Sequence, residues 1–162
     1  MSGLPSLPKY PIRIAPRAVI ERDGAVLLVK FDDEHGPHYN WPGGGMDFGE
    51  SIQETLHREV REETNAAVDI LSLFCVYEYL TSLTIAQQGE PQYFGMVFLC
   101  GLKEGCEPKL PVSPDENQVA VEWIPIEELH NHWVLPDLTK TVQDWYRGEN
   151  IGLPFLVHRE DL

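Results

Sequence analysis

The pattern of apolar and polar residues along this chain predicts several strands and helices. Two runs rich in strand-forming residues cover 12–21 and 25–30, and the Asp23-Gly24 pair between them is a hairpin signal. From Ile52 the apolar residues recur at helical spacing. Further strands are predicted over residues 39–41, 67–80, 92–102 and 119–124, polar breaks over 32–37, 87–91 and 103–118, and helices from residue 125 and over 136–147. Strands on both sides of a long helix favour an α/β fold with a mixed sheet between helices, an α/β/α sandwich.

The long helix has recognisable ends. Ser51 followed by Glu54 has the spacing of a capping box, in which each side chain satisfies a backbone N–H group of the other residue. Asn65 stands where the apolar period stops, and asparagine is the commonest substitute for glycine in the left-handed conformation that ends helices. The sequence therefore predicts a helix over residues 52–64.

Three glutamates of this helix lie on or beside its apolar stripe, whereas a solvated charged face would lie opposite that stripe. At about 100° per residue, Glu59, Glu62 and Glu63 share an arc of roughly 100°, and Glu63 points into the apolar stripe. Like charges one turn apart repel, and a half-buried carboxylate is poorly solvated, unless a cation lies between them. Carboxylate oxygens suit Mg²⁺ or Mn²⁺. On these residues alone, a glutamate-rich surface helix remains the alternative.

The glycine-rich stretch before the helix decides between these interpretations. The segment from Gly44 to Ala66 resembles the Nudix box, the signature of the Nudix hydrolase family. Asn65 replaces the last glycine of the pattern, and Ala66 is a weak match to its final aliphatic position. The charged positions of the box are all filled, by Glu50, Arg58, Glu59, Glu62 and Glu63.

The resemblance implies a Nudix-like α/β/α sandwich over residues 12–147. The proline-rich arm of residues 1–11 and the tail of residues 148–162 lie outside what it explains. It also implies hydrolysis of a phosphoanhydride bond in a nucleoside diphosphate linked to another group, with Mg²⁺, or Mn²⁺, as the cofactor. The predicted metal ligands are Glu59, Glu62, Glu63 and the Gly44 carbonyl.

Other residues receive predicted roles by the same resemblance. Arg58 orients the glutamates and belongs with Glu62 and Glu63 in the predicted catalytic set. Many family members draw a further glutamate from a loop outside the box, as a general base or an extra ligand. Glu116 is the candidate for that role here, and Glu122 is the competitor. No aromatic residue is assigned to the nucleobase.

The amino-acid composition indicates which classes of molecule this chain is expected to bind. The chain has 162 residues, and 12 basic against 26 acidic residues give a net charge of −14. This charge repels nucleic-acid polymers, so a small nucleotide that arrives with a divalent cation is the expected partner. No apolar run is long enough for a membrane span, and the N-terminal residues lack the apolar core of a signal peptide. Three cysteines without metal-site spacing are expected to be reduced, in the cytoplasm.

Two other function classes compete with a hydrolase. A non-catalytic Nudix-like module would bind a nucleotide for regulation, but such modules commonly lose box glutamates. An isopentenyl diphosphate isomerase-like protein would need a catalytic-cysteine segment, which is not evident here. A homodimer is compatible with a proline-rich arm that packs on a second copy. The candidate substrates are ADP-ribose, a nucleotide sugar, a dinucleoside polyphosphate, a nucleoside triphosphate and a capped RNA end.

Overall fold

The structure, a computed structural model, describes residues 12–82 and 91–159. The predicted arm of residues 1–11 and most of the predicted break at 87–91 lie outside the described residues. The described strands are β1 (Ile12–Arg22), β2 (Ala25–Asp33), β3 (Gly36–Asn40), β4 (Val68–Leu80), β5 (Gln92–Leu102), β6 (Gln118–Pro125), β7 (Val134–Leu135) and β8 (Phe155–Arg159). The described helices are α1 (Ile52–Thr64), a 3₁₀ helix (Ile126–Asn131) and α2 (Thr139–Tyr146).

The strands form a mixed sheet in the order β7-β3-β2-β1-β5-β4-β8, with β6 paired to β2. β1 runs parallel to β5, and β4 runs parallel to β8, whereas the β4–β5 and β2–β6 pairs are antiparallel. β1 and β2 pair only beside their hairpin, at Glu21 with Val26 and at Arg22 with Ala25. Beyond these two pairs the strands separate, and this opening positions the candidate site.

Helices cover both faces of the sheet. On one face, Leu27 of β2 belongs to a buried cluster with Leu56 and Val60 of α1. On the other face, the adjacent Leu28 belongs to a second cluster with Val142 of α2. Successive residues of a strand point to opposite faces, so one apolar strand supplies both cores. The predicted α/β/α sandwich with a mixed sheet is confirmed.

Helix α1 begins and ends where the sequence predicts. The Ser51 hydroxyl accepts a hydrogen bond from the Glu54 N–H at 3.2 Å, and the Glu54 carboxylate accepts one from the Ser51 N–H at 2.8 Å. Asn65 adopts the left-handed conformation, with φ 55° and ψ 24°, and its N–H donates to the Arg61 carbonyl at 2.9 Å. Both ends of the helix are therefore set by local side-chain chemistry.

Three segments differ from the predictions. Most of the predicted loop at 32–37 is hairpin, since β2 continues to Asp33 and β3 starts at Gly36. Helix α2 starts at Thr139 rather than at Pro136, because the Pro136 carbonyl accepts the indole N–H of buried Trp41 at 3.0 Å. The residues assigned to a tail contain β8, an edge strand beside β4, whose alternation of exposed and half-buried residues makes a weak sequence signal.

The three cysteines are unpaired, as the sequence predicts. Cys75, Cys100 and Cys106 are free, and burial raises the pKa of the Cys75 and Cys100 thiols to about 12. Helices in the described part of the chain are too short or too polar to cross a bilayer.

The left-handed residue at the end of α1 gives a stability prediction. Asn65→Ala should lower the free energy of unfolding by about 1 kcal/mol, because a Cβ without a compensating polar group is disfavoured in this conformation. Asn65→Gly should leave the stability within about 0.5 kcal/mol of the wild type or raise it. Urea denaturation of the three proteins measures both differences. Equal destabilisation by alanine and glycine would show that the Asn65 side chain, and not its backbone conformation, stabilises the end of the helix.

Candidate active site

A glycine-rich loop, residues 42–46, occupies the opening where β1 and β2 separate. The Ala18 N–H donates to the Pro42 carbonyl at 2.7 Å, and the Met46 N–H donates to the Ile14 carbonyl at 2.9 Å. An isolated bridge joins Arg17 to Gly43 between these two bonds. The loop therefore lies along β1 in place of β2 and is held by the backbone of β1.

Gly44 brings this loop into direct contact with α1. A Cβ on Gly44 would lie 2.6 Å from Cδ of Glu59, closer than side chains approach one another. Only glycine lets the backbone reach the carboxylate at this distance. The requirement explains why a glycine precedes the glutamate helix at this spacing.

Glu63 is the buried carboxylate of the site. The residue is 5% exposed, and its Oε2 accepts the Gly43 N–H at 2.8 Å. Burial raises the pKa of Glu63 to about 8; the Gly43 hydrogen bond and the charge of Arg17 oppose this rise, and the charges of Glu59 and Asp115 add to it. Without a cation, the carboxylate of Glu63 is thus far less stable than an ordinary one.

Glu59 and Glu62 complete the carboxylates of the box. The Glu59 side chain is 14% exposed, whereas that of Glu62 is 56% exposed. Burial also raises the pKa of Glu59, and the nearby charges of Glu62 and Asp115 contribute to the rise. The Arg58 Nη1 donates to Glu59 at 2.8 Å and to Glu62 at 3.2 Å.

Arg58 connects the box glutamates to the loop in front of the helix. Its Nε and Nη2 donate to the two oxygens of Glu50 at 2.6 and 2.8 Å, a bidentate pair. The Thr55 hydroxyl also donates to Glu50, at 2.8 Å. The bonds from Arg58, followed by the bond from Thr55, lower the pKa of Glu50 to about 2. Arg58 is therefore placed as its predicted orienting role requires, and Glu50 holds Arg58 in position.

The loop before β6 carries two exposed acidic residues, Asp115 and the predicted Glu116. Glu116 lies exposed in a turn closed by the Gln118 N–H, which donates to the Asp115 carbonyl at 3.0 Å. The Gln118 side chain donates to the backbone carbonyl of Glu63 at 2.7 Å and so ties the turn to α1. The charge of Asp115 contributes to the raised pKa values of Glu59 and Glu63.

The competitor Glu122 is engaged elsewhere. It accepts the Tyr39 hydroxyl at 2.7 Å and pairs with Lys30 at 3.5 Å. These contacts join β2, β3 and β6 on the sheet. Glu122 therefore bonds to Tyr39 and Lys30 and not to the residues of the box.

The residues at the box fit a divalent cation in donor type. The charge of Glu59 raises the pKa of Glu63, and the backbone of Gly44 in the neighbouring loop lies against the Glu59 carboxylate. Hard oxygen donors with unneutralised charge are what Mg²⁺ binds. In the described residues, three acidic, histidine or cysteine side chains nowhere converge closely enough to form a metal-ligand set, and Arg58 holds both Glu59 and Glu62.

Arg17 is a site residue that the sequence does not single out. Its Nη1 donates to the carbonyls of Trp41 and Gly43 at 2.8 and 3.3 Å, and its Nε donates to the Tyr77 hydroxyl at 3.0 Å. Burial acts to lower the pKa of Arg17, but Tyr77 and Glu63 raise it above its ordinary value, so the guanidinium stays charged. An arginine in the middle of an apolar strand is the signal that points to it.

The Glu50–Arg58 pair predicts how acid affects stability. The folded state lowers the pKa of Glu50 from 4.5 to about 2, so the pair stabilises the fold above pH ~4.5 and loses its effect as the pH falls toward ~2. The difference in free energy of unfolding between wild type and Glu50→Gln should therefore be largest near neutral pH and shrink in acid. Urea denaturation in EDTA between pH ~3 and ~7 measures it, with exposed Glu127→Gln as the control. A difference that does not change with pH would contradict the ion pair.

Comparisons with known proteins agree with this geometry. The chain is 33% identical over 109 residues to a Caenorhabditis elegans protein that carries a nudix hydrolase name, covering 66% of this chain and 26% of that protein. It is 46% identical over 48 residues to the nucleoside triphosphatase NudI of Escherichia coli, covering 28% of this chain and 34% of NudI. The chain thus spans about a third or less of the length of these relatives.

A solved structure extends the likeness to the whole fold. The NUDIX hydrolase structure from Nitrosomonas europaea aligns with a TM-score of 0.70 at 18% identity, over 91% of this chain and 79% of that one. The sequence profile of the NUDIX domain matches residues 11–146, most of the chain. With a buried glutamate, a glycine loop and an orienting arginine in the positions of the box, this chain belongs to the NUDIX domain family.

Proposed function

We propose that this protein is a Mg²⁺-dependent hydrolase that cleaves a phosphoanhydride bond in a nucleoside diphosphate linked to another group. The observation that carries the proposal is Glu63, a carboxylate buried beside Glu59 with no cationic side chain bonded to it in the described residues. A fold keeps such a pair at a cost in stability unless a ligand neutralises it. A divalent cation with a diphosphate is a ligand of that kind.

The residues that would hold the cation are Glu59, Glu62, Glu63 and the carbonyl of Gly44. When bound, Mg²⁺ supplies Lewis-acid polarisation of a phosphate oxygen and lowers the pKa of a coordinated water. Mn²⁺ accepts the same donors. The loop and the helix fix these groups before the substrate arrives, because the backbone of β1 holds the loop and Glu50 holds Arg58.

The side chains around the cation site have separate tasks. Arg58 fixes the directions of Glu59 and Glu62 through its hydrogen bonds. Asp115, whose charge acts on Glu59 and Glu63, would accept the proton of the attacking water as a general base. Arg17 faces the negative charge that develops on the phosphate chain, since it is a cation close enough to act on Glu63.

The net charge of the chain makes some candidate substrates less favourable than others. A chain with a net charge of −14 repels a long polyanion more than a small nucleotide that carries a divalent cation, which disfavours a capped RNA. NudI is named a nucleoside triphosphatase, and a triphosphate also contains the phosphoanhydride that this site would cleave. We propose the diphosphate-linked class because it is the class that the resemblance to the Nudix box implies.

Removing the charge of Glu63 tests the hydrolase directly. Glu63→Gln should reduce Mg²⁺-dependent turnover of ADP-ribose, a nucleotide sugar or a dinucleoside polyphosphate by about 10²- to 10⁴-fold, because the amide no longer binds the cation. Glu54→Gln is the matched control on the same helix, since glutamine also completes a capping box. Phosphate or nucleotide release is the measurement. Equal activity in both variants, or tight binding without turnover in the wild type, would contradict the proposal.

The two neighbouring acidic residues of the loop provide a second test. Asp115→Asn should lower kcat by at least about tenfold, and Glu116→Gln should lower it by less than about threefold, because the charge of Asp115 acts on Glu59 and Glu63. Steady-state kinetics with saturating Mg²⁺ measure both values. A larger loss for Glu116→Gln than for Asp115→Asn would contradict the role of Asp115 and support the predicted role of Glu116.

A further inference from the structure

Strand β8 lies at one end of the sheet, away from the box. It runs beside β4, and in the described part of the chain no strand lies on its other side. At the opposite end of the sheet order, β7 has two residues, whereas β8 has five. An edge strand of that length presents a row of unpaired N–H and C=O groups, to which a further strand can bind.

The pairing of β8 with β4 determines which backbone groups of β8 point outward. The Val76 N–H donates to the Pro154 carbonyl at 3.0 Å, and Val76 stands beside Phe155 in the parallel register. Because the N–H and C=O groups of one residue in a strand point to the same side, only alternate residues bond to β4. The backbone groups of Phe155, Val157 and Arg159 therefore point away from β4.

Two apolar side chains at this edge are largely exposed. Phe155 is 56% exposed and Val157 is 49% exposed. Arg159, the last residue of the strand, is also exposed, and within residues 12–82 and 91–159 no acidic side chain forms an ion pair with it. Charged residues and prolines commonly protect the edge strands of sheets from pairing. In β8 the permanent charge stands only at the last residue, so the apolar part of the edge lacks that protection.

We propose that β8 pairs antiparallel with β8 of a second copy of this chain, about a two-fold axis at Val157. In this register the two Val157 residues exchange a pair of backbone hydrogen bonds, and each Phe155 exchanges a pair with Arg159 of the second copy. The outward backbone groups of the two strands are then satisfied by about six hydrogen bonds. A register shifted along the strands would leave some of these groups unpaired.

The side chains of β8 suit this pairing with an identical strand. The register places the Arg159 guanidinium beside the Phe155 ring of the second copy, which is a favourable cross-strand pair, and it keeps the two arginines apart. The two Val157 side chains meet at the axis, where β-branched residues pack well. Because the contact uses the same surface of both copies, it closes after two chains and gives a dimer rather than a fibre.

The dimer should be weak, because the contact is one short strand from each copy. Stable protein interfaces bury about 1,200–2,000 Å² in total, more than two five-residue strands supply. We therefore expect a Kd of about 10–100 µM. The net charge of −14 on each copy opposes association, and salt screens this repulsion, so the dimer is measured in about 0.2 M NaCl.

Sedimentation velocity of the full chain at increasing concentration tests the association. Val157→Lys should weaken the dimer at least about tenfold, because two like charges then stand opposite each other at the axis. Val119→Lys is the matched control, since Val119 is a valine of β6 that is 47% exposed, and it should change the Kd less than about twofold. A wild type that stays monomeric up to about 500 µM, or equal weakening by the two lysine variants, would overturn the proposal.

Cysteine crosslinking tests the register of the two strands. The variants are made in a Cys106→Ser background, in which the remaining Cys75 and Cys100 are buried. Under a mild oxidant Val157→Cys should give a disulfide-linked dimer, because the Cα atoms of a hydrogen-bonded antiparallel pair lie about 5.5 Å apart. Phe155→Cys should not, because the two substituted residues would lie four residues apart along the strands, about 13 Å. Any other pattern of crosslinking by the two variants would overturn the proposed pairing.

Discussion

The burial of Glu63 constrains the geometry of the whole site. A carboxylate in the interior needs a hydrogen-bond donor, and here the donor is the backbone N–H of Gly43. Gly43 can lie there only because the glycine loop runs along β1, in the opening that β2 leaves when it separates from the hairpin. The same loop presses Gly44 against Glu59. Sheet topology, loop and helix thus converge on two carboxylates that repel each other.

Two arginines organise the two sides of this loop in different ways. Arg58 is saturated by carboxylates, since it bonds Glu50, Glu59 and Glu62. It therefore acts as a scaffold and has little capacity to bind an anion. Arg17 is bound mainly by backbone carbonyls and a phenol, which do not neutralise its charge. An acidic protein in this way keeps a positively charged side chain that carbonyls and a phenol hold beside a cluster of carboxylates.

The sequence predicts correctly those elements whose ends are set by residues close together in the chain. The capping box at Ser51 and the left-handed Asn65 set the ends of α1, and both are visible in the sequence. The spacing of the box glutamates likewise follows from helical geometry. The patterns over 12–21 and 92–102 predict strands β1 and β5 almost to the residue, because their apolar runs are bounded by polar or proline-containing segments.

The remaining features depend on tertiary contacts. Whether Asp115 or Glu116 faces the box depends on a turn that Gln118 ties to α1, and the two residues are adjacent in sequence. The role of Arg17 depends on strand register, which brings Tyr77 across Gly95. The edge strand β8 has one weakly buried face, and its position is set by pairing with β4. None of these arrangements follows from the pattern of a single segment.

The central claim is that Glu59 and Glu63 form a site for a divalent cation, and direct metal binding tests it best. Mn²⁺ titration followed by electron paramagnetic resonance reports the free ion and so does not depend on any substrate. We expect saturable binding to the wild type, loss of that binding in the Glu59→Gln and Glu63→Gln variants, and unchanged binding in Glu54→Gln. Binding of the same strength in all four proteins, or none in the wild type, would contradict a cation-binding role for the two buried carboxylates.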